Sequence, residues 1–215
     1  MHCFRYRLDH DYGFAPNPFW GILTLATCKP QIRSNRNLAL GDWIVGLGSK
    51  KMGNEGTIIY AACVDEIITF DQYWTDARFQ VKKAITNGTL LQMYGDNVYH
   101  TVNGKVVQEH CAHSIGPRKS NNDHMKRDAS GKNVLLCKRF YYFGDQAPKL
   151  PKELAYIGDT GNPRATKYTD LDDAQINRFV AWLETNYETG IHGNPCNWKE
   201  FNIPKYDTYE DEEDK

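Results

Sequence analysis

No stretch of the sequence approaches the ~18 consecutive apolar residues that a membrane-crossing helix requires, which argues against a helical span. The six cysteines include no CxxC pair. A chain of 215 residues buries roughly 70% of its unfolded surface on folding and has no need of covalent staples. Cys3, Cys28, Cys63, Cys111, Cys137 and Cys196 are therefore read as thiols, and a reducing cytoplasm is the expected compartment. The opening MHCFRYRLDHDYG is too charged for a secretory signal. Repeats and long linkers are lacking too, so residues 1–206 read as one domain. A strong charge of either sign is also missing: 26 Lys and Arg stand against 27 Asp and Glu. That balance hides an asymmetry, because residues 207–215 (DTYEDEEDK) hold six acids and one base, leaving 1–206 with a net charge of +4. The densest basic stretch, Arg118 to Arg139, is rich in Ser, Asn and Gly and reads as a loop, either simply solvated or tracking phosphate.

What is present is β-branched and aromatic sequence cut by turn residues. His2 to Leu8, Ile22 to Cys28, the stretch 41–49 (GDWIVGLGS), Thr57 to Ile68, Tyr94 to His100 and Val134 to Phe143 are the strand candidates, and SKKMGNEG reads as a hairpin loop. Gly46-x-Gly48 before Ser49-Lys50 hints at phosphate binding, but a strand follows where a P-loop needs a helix. Phe70 to Phe79 suggests a short helix. From Asp170, the spacing of Ile176, Phe179, Val180, Leu183 and Tyr187 predicts an amphipathic helix with acids in its first turn and Gly190 beyond its end. The expected fold is α+β: a curved, mostly antiparallel sheet or small barrel with this C-terminal helix packed on it.

Two segments carry candidate chemistry. Between His10 and Arg33, Phe14, Phe19 and Trp20 alternate with polar and cationic groups, an arrangement suited either to a nucleobase and its phosphate or to a hydrophobic plug. On the first reading the rings stack on the base, Asn17 reads its edge, and Lys29 and Arg33 hold phosphate. Cys28 beside Lys29 suggests a stabilised thiolate, but neighbours on a strand face opposite ways, so a buried inert thiol is expected. In the second segment His100, His110, His113 and His124 lie close in sequence, with Cys111 among them. None has zinc-finger spacing, so no metal is expected. General acid–base work suits them better, with Asp96 orienting His110 or His113. Structural histidines are the plain alternative. No motif names a cofactor or cosubstrate.

The ordered motifs FAPNPFWGILTLATCKPQIR (14–33), GDWIVGLGS (41–49), FDQYWTDARF (70–79), YGDNVYH (94–100) and NVLLCKRFYYFG (133–144) resemble the nucleotide modification associated domain 2 family from Phe4 to about Trp198. Where that family leads one to expect a Ser- and His-rich stretch, this chain has His110-Cys111-Ala112-His113-Ser114. The resemblance implies a role near DNA base hypermodification in phages and bacterial mobile elements, with a nucleotide or DNA as partner. The order of a basic residue, a Gly-Asp strand and a hairpin into a long strand is similar to PUA, ASCH and EVE barrels, which grip a flipped base. The expectation is an enzyme or accessory protein acting on modified nucleotides in one aromatic and basic cleft. The alternatives are a non-catalytic reader of modified bases and a protein-interaction module. The acidic end is expected to be disordered and to cover a basic groove as a phosphate mimic. Deleting residues 207–215 should leave the melting temperature unchanged and raise affinity for mixed-sequence DNA at low salt, a difference that titrating salt should erase.

Overall fold

In the computed structural model, residues 1–116, 119–161 and 166–201 are described; the acidic segment 207–215 lies outside them. In chain order the strands and α-helices are β1 (Cys3–Arg7), β2 (Leu23–Leu25), α1 (Pro30–Arg33), β3 (Trp43–Leu47), β4 (Ile58–Cys63), β5 (Glu66–Thr69), α2 (Phe70–Thr75), α3 (Leu90–Met93), β6 (Tyr99–Val102), β7 (Lys105–Gln108), α4 (Asn122–Ala129), β8 (Asn133–Cys137), β9 (Phe140–Tyr142), α5 (Ala155–Gly158), α6 (Asp173–Asn186) and β10 (Gly190–Ile191).

Three sheets result. The largest has the order β1-β3-β4-β9-β10, a second has the order β2-β8-β5, and β6 and β7 form a hairpin. Antiparallel pairs prevail, but β1 runs parallel to β3 and β10 parallel to β9. The expected α+β class holds, and none of the sheets described closes into a barrel, so the PUA-like detail is not confirmed. The Thr57 to Ile68 run is β through most of its length yet divides at Val64-Asp65, and the Val134 to Phe143 run divides at Lys138-Arg139. Both bends have one cause. β4 pairs with β9 and β5 pairs with β8, so the two runs form a continuous ladder that turns from one sheet into the next. At the corner the Asp65 carboxylate accepts the backbone N–H groups of Lys138 and Arg139.

Strand alternation sorts the core into layers. Phe4, Tyr6, Ile44, Ala62, Leu135 and Cys137 face one cluster between the two larger sheets. Trp43, Val45, Ala61 and Tyr141 face the other way and are covered by Ile176, Phe179 and Leu183 of α6. This helix starts where Asp172 accepts the Gln175 N–H at 2.8 Å and the Gln175 side chain reciprocates, a capping box. Val180 and Tyr187, the remaining members of the expected stripe, are half-buried at its margin.

Within the basic stretch 118–139, which reads as a loop before the expected strand at Val134, the structure instead places a helix, α4. The Asn121 side chain caps α4 by accepting the His124 N–H at 3.2 Å. Lys126 and Arg127 are exposed while Asp128 is fully buried, so polarity on one face disguised a helix anchored by a single acid. All six cysteines are free thiols. No helix among the described residues is long and apolar enough to cross a membrane.

Phe179 is the centre of the α6 contact and fully buried. Phe179→Ala should cost about 3–5 kcal/mol, the transfer and cavity cost of a core aromatic, read from urea unfolding; a loss below about 1 kcal/mol would contradict this packing.

Candidate functional site

A cavity of about 710 Å³ opens between the 6–31 segment, Thr86, the Met93-Tyr94 turn, the 111–113 turn and α4. Its aromatic walls are Phe14, Tyr12 and Tyr94, the last two stacked at 5.4 Å between ring centres. The polar lining includes His10, Cys28, Lys29, His113, His124 and Arg127.

At this wall three side chains meet, their polar atoms within 4.8 Å of one another. The Cys28 sulfur lies 3.8 Å from His113 Nε2, and His113 Nδ1 lies 3.0 Å from Asp128 Oδ2. The Asp128 carboxylate also accepts the Tyr99 hydroxyl at 3.0 Å, the Cys28 backbone N–H at 3.0 Å and Arg127 Nε at 3.2 Å. Burial alone would lower the His113 pKa, but hydrogen bonds to Asp128 and Cys28 outweigh it and raise the imidazole to about 9. Burial would raise the Asp128 carboxyl, and the same contact with His113, with help from Arg127 and Tyr99, carries it below its usual range instead. This is the arrangement of a nucleophile, a proton carrier and a group that orients the carrier.

Cys28 is not on a strand. β2 stops at Leu25, and Cys28 and Lys29 both adopt left-handed backbone, at φ 54° and 40°. Two consecutive non-glycine residues in that region cost about 1–3 kcal/mol each. Arg33, fully buried, holds the bend: its guanidinium donates to the carbonyls of Cys28 at 2.8 Å, Asp128 at 2.6 Å and Asn133 at 2.7 Å. Gly131 makes room for it, since a Cβ there would sit 2.5 Å from Arg33 Cζ. The expected inert thiol is thus half-buried on the cavity wall, turned toward an imidazole by a strained bend.

The two segments singled out from sequence do converge: the Phe14 ring meets the His113 ring edge-on at 4.7 Å. Phe14, Lys29 and His113 line the cavity, and the Lys29 ammonium lies 4.1 Å over the Tyr6 ring, its pKa lowered by burial. Other residues fall elsewhere. Arg33 is sealed beneath the site and cannot reach a phosphate. Asp96 orients no histidine; fully buried, it accepts the hydroxyls of Thr24 and Tyr73, each at 2.7 Å. Asn17 is equally buried, accepting Lys82 Nζ at 2.7 Å and donating to the Tyr94 carbonyl at 2.9 Å, so it shapes the wall from behind. Burial pushes Asp96 up and Lys82 down to about 8, with each countering the other. Phe19 stacks on Trp198 at 5.4 Å, as a plug would. Trp20 is 46% exposed and lies outside the cavity lining. His110 Nδ1 is 2.9 Å from the Thr86 hydroxyl, also outside the lining.

Sequence reasoning passed over Asp128 and Tyr12 and set Cys28 aside; it noted His124 only among the clustered histidines, Tyr94 only at the start of a strand candidate and Arg127 only within the basic stretch. The one available signal was the Cys28-Lys29-Pro30 sequence, where proline ends the strand. Asp128 stands 100 residues from Cys28 and has no spacing signature.

Cys28, His113 and Asp128 also offer ligating atoms within 4.8 Å of one another. The three groups form a compact cluster in which His113 engages the sulfur through Nε2 and the carboxylate through Nδ1. Asp128 already accepts four hydrogen bonds, the capacity of a carboxylate.

A family model described as nucleotide modification associated domain 2 matches residues 1–202, and the chain belongs to that family. No curated protein and no solved structure matches it.

Because the His113 pKa in the fold exceeds its ordinary 6.5, its contribution to stability is full below pH 6.5 and is lost as pH rises through about 9. Unfolding free energy measured in urea between pH 7 and 10 should therefore fall more steeply for the wild type than for Asp128→Asn. Parallel slopes would contradict the coupling.

Proposed function

We propose that this member of the nucleotide modification associated domain 2 family is a nucleotide-modifying enzyme, acting on bases of DNA or free nucleotides, with Cys28 as its nucleophile. The observation that carries this reading is the Cys28–His113–Asp128 cluster on the wall of the aromatic cavity, with His113 in contact with both the sulfur and the carboxylate. Its volume suits a nucleotide, since small-molecule sites commonly span about 300–1,000 Å³. Phe14 and Tyr94 offer faces for a base, and Lys29 and Arg127 offer charge to a phosphate.

In this mechanism the proton shared by the Cys28–His113 pair rests on the imidazole, whose raised pKa favours that placement, and the sulfur 3.8 Å away attacks the bound base. Asp128 keeps Nδ1 engaged, so Nε2 faces the sulfur, and the protonated ring then acts as the acid that returns the proton. Arg33 is a positioning residue that holds Cys28 and α4 in register. Asn17, through the Tyr94 carbonyl, does the same for the aromatic wall. Proton transfer thus passes to His113 with Asp128, and Asp96 and His110 support the fold around it. A non-catalytic reader would use the aromatic walls but has no need of a strained cysteine facing an imidazole, so catalysis is the favoured reading.

The test is mass spectrometry of nucleosides from DNA incubated with the full chain in cell extract, beside calorimetric binding of nucleotides. Wild type should yield a mass-shifted nucleoside. Cys28→Ala and His113→Gln should lower its formation on the order of 10³-fold while changing nucleotide affinity by less than about threefold. Unaltered turnover in Cys28→Ala would overturn the nucleophile, and absence of nucleotide binding would overturn the whole reading.

A further inference from the structure

We infer that the Cys28 sulfur adds to C6 of a pyrimidine ring, making pyrimidine nucleotides the substrate class of this site. The inference rests on the proposal that Cys28 is the nucleophile of a nucleotide-modifying enzyme.

The argument turns on where negative charge lands after the sulfur attacks. In acyl transfer it lands on an oxygen bonded to the attacked carbon, and catalysis needs donors converging on that oxygen. The nucleophile's own backbone N–H is the donor nearest to hand. Here the Cys28 N–H is committed to Asp128 Oδ1 at 3.0 Å, a bond that also holds the triad together. In conjugate addition the charge instead moves through the ring to an atom remote from the sulfur, where side-chain cations can meet it. Lys29 and Arg127 line the same cavity as the thiol. Arg127 Nη2 lies 3.9 Å from the sulfur, so a cation also stands beside the reacting centre.

Among nucleobase carbons, C6 of a pyrimidine ends a carbon–carbon double bond conjugated to a carbonyl or imine. Purine carbons lack that arrangement and would need a leaving group. Addition therefore requires no co-reactant. With the proton of the Cys28–His113 pair on the imidazole, the sulfur attacks and the S–C6 bond forms. The C5–C6 π pair moves toward C4, placing charge on O4 of uracil or N3 of cytosine. Protonation at C5 by the His113 imidazolium gives the saturated adduct. Loss of the original C5 hydrogen, on the opposite ring face, to solvent restores the double bond and expels the sulfur, and the imidazole regains its proton from solvent. The net outcome is exchange of the C5 hydrogen with solvent, with no oxidation or reduction.

The experiment incubates the full chain in D₂O with 2′-deoxyuridine and 2′-deoxycytidine 5′-monophosphates and with a short pyrimidine-rich single-stranded oligodeoxynucleotide. Proton NMR follows the C5 hydrogen, and saturation transfer in the same samples reports binding. Wild type should wash out the C5 signal of at least one probe, and Cys28→Ser should do so at least ~100-fold more slowly. In case that variant fails to fold, wild type carbamidomethylated at Cys28, with the site verified by peptide mass spectrometry, should show the same loss. Pyrimidines that bind without exchange, or exchange that survives both treatments, would overturn the inference and leave the nucleotide-modifying reading standing. If no pyrimidine probe binds but purine nucleotides do, the substrate class is wrong. If no nucleotide binds, the underlying reading falls with it.

Discussion

A carboxylate stripped of water must find hydrogen-bond donors on nearly all its lone pairs, and around Asp128 this requirement organises the site. Its four donors come from β6 (Tyr99), the turn after β7 (His113), the bend after β2 (Cys28) and its own helix (Arg127). Satisfying one acid thus brings together four pieces of chain that no sheet joins directly. The same bonds orient His113 and tie the Cys28 backbone, so charge burial and triad geometry are two aspects of one arrangement. Removing any single donor would leave the others holding a partly unsatisfied buried charge, which explains why so much chain converges on this point.

Beneath that carboxylate a second set of buried polar groups works on the backbone. Arg33 joins the strained Cys28 bend to the end of α4 and the start of β8 through three carbonyls. Lys82, Asn17, Thr24, Asp96 and Tyr73 form a comparable cluster behind the aromatic wall, ending at the Tyr94 carbonyl. Both sets spend charged side chains on positioning. Residues that look like ligand-binding groups in sequence are here the supports of residues that face the cavity.

The bent ladder supplies the rigid base for this construction. β8 lies at the centre of its sheet, and its Asn133 end meets Arg33, while the corner held by Asp65 passes the chain on to the larger sheet. The other face of that larger sheet is covered by α6, so the cavity lies on the side away from the helix. A cysteine held in left-handed backbone needs such over-determined surroundings to persist, and the ladder with Arg33 provides them.

Local pattern by itself determined β1, β3, β4, β8, β9 and the α6 stripe, because alternation and helical spacing depend only on neighbours along the chain; it did not mark β7 or β10, and of the expected Tyr94–His100 strand only Tyr99 and His100 are strand. It also marked the two segments that meet at the cavity, and it singled out Phe14, Lys29 and His113. The tertiary structure alone decided which polar residues face the cavity. Asn17, Arg33 and Asp96 have the same chemical character whether they meet a ligand or a buried carbonyl, and burial, a non-local property, separates the two. Cys28 is the clearest case. Its sequence position at the end of an apolar run suggested a strand residue, yet β2 ends three residues earlier and the backbone turns left-handed under Arg33. Asp128 lies 100 residues away, and only the folding of α4 against the β2 bend brings its carboxylate to the cysteine and the histidine.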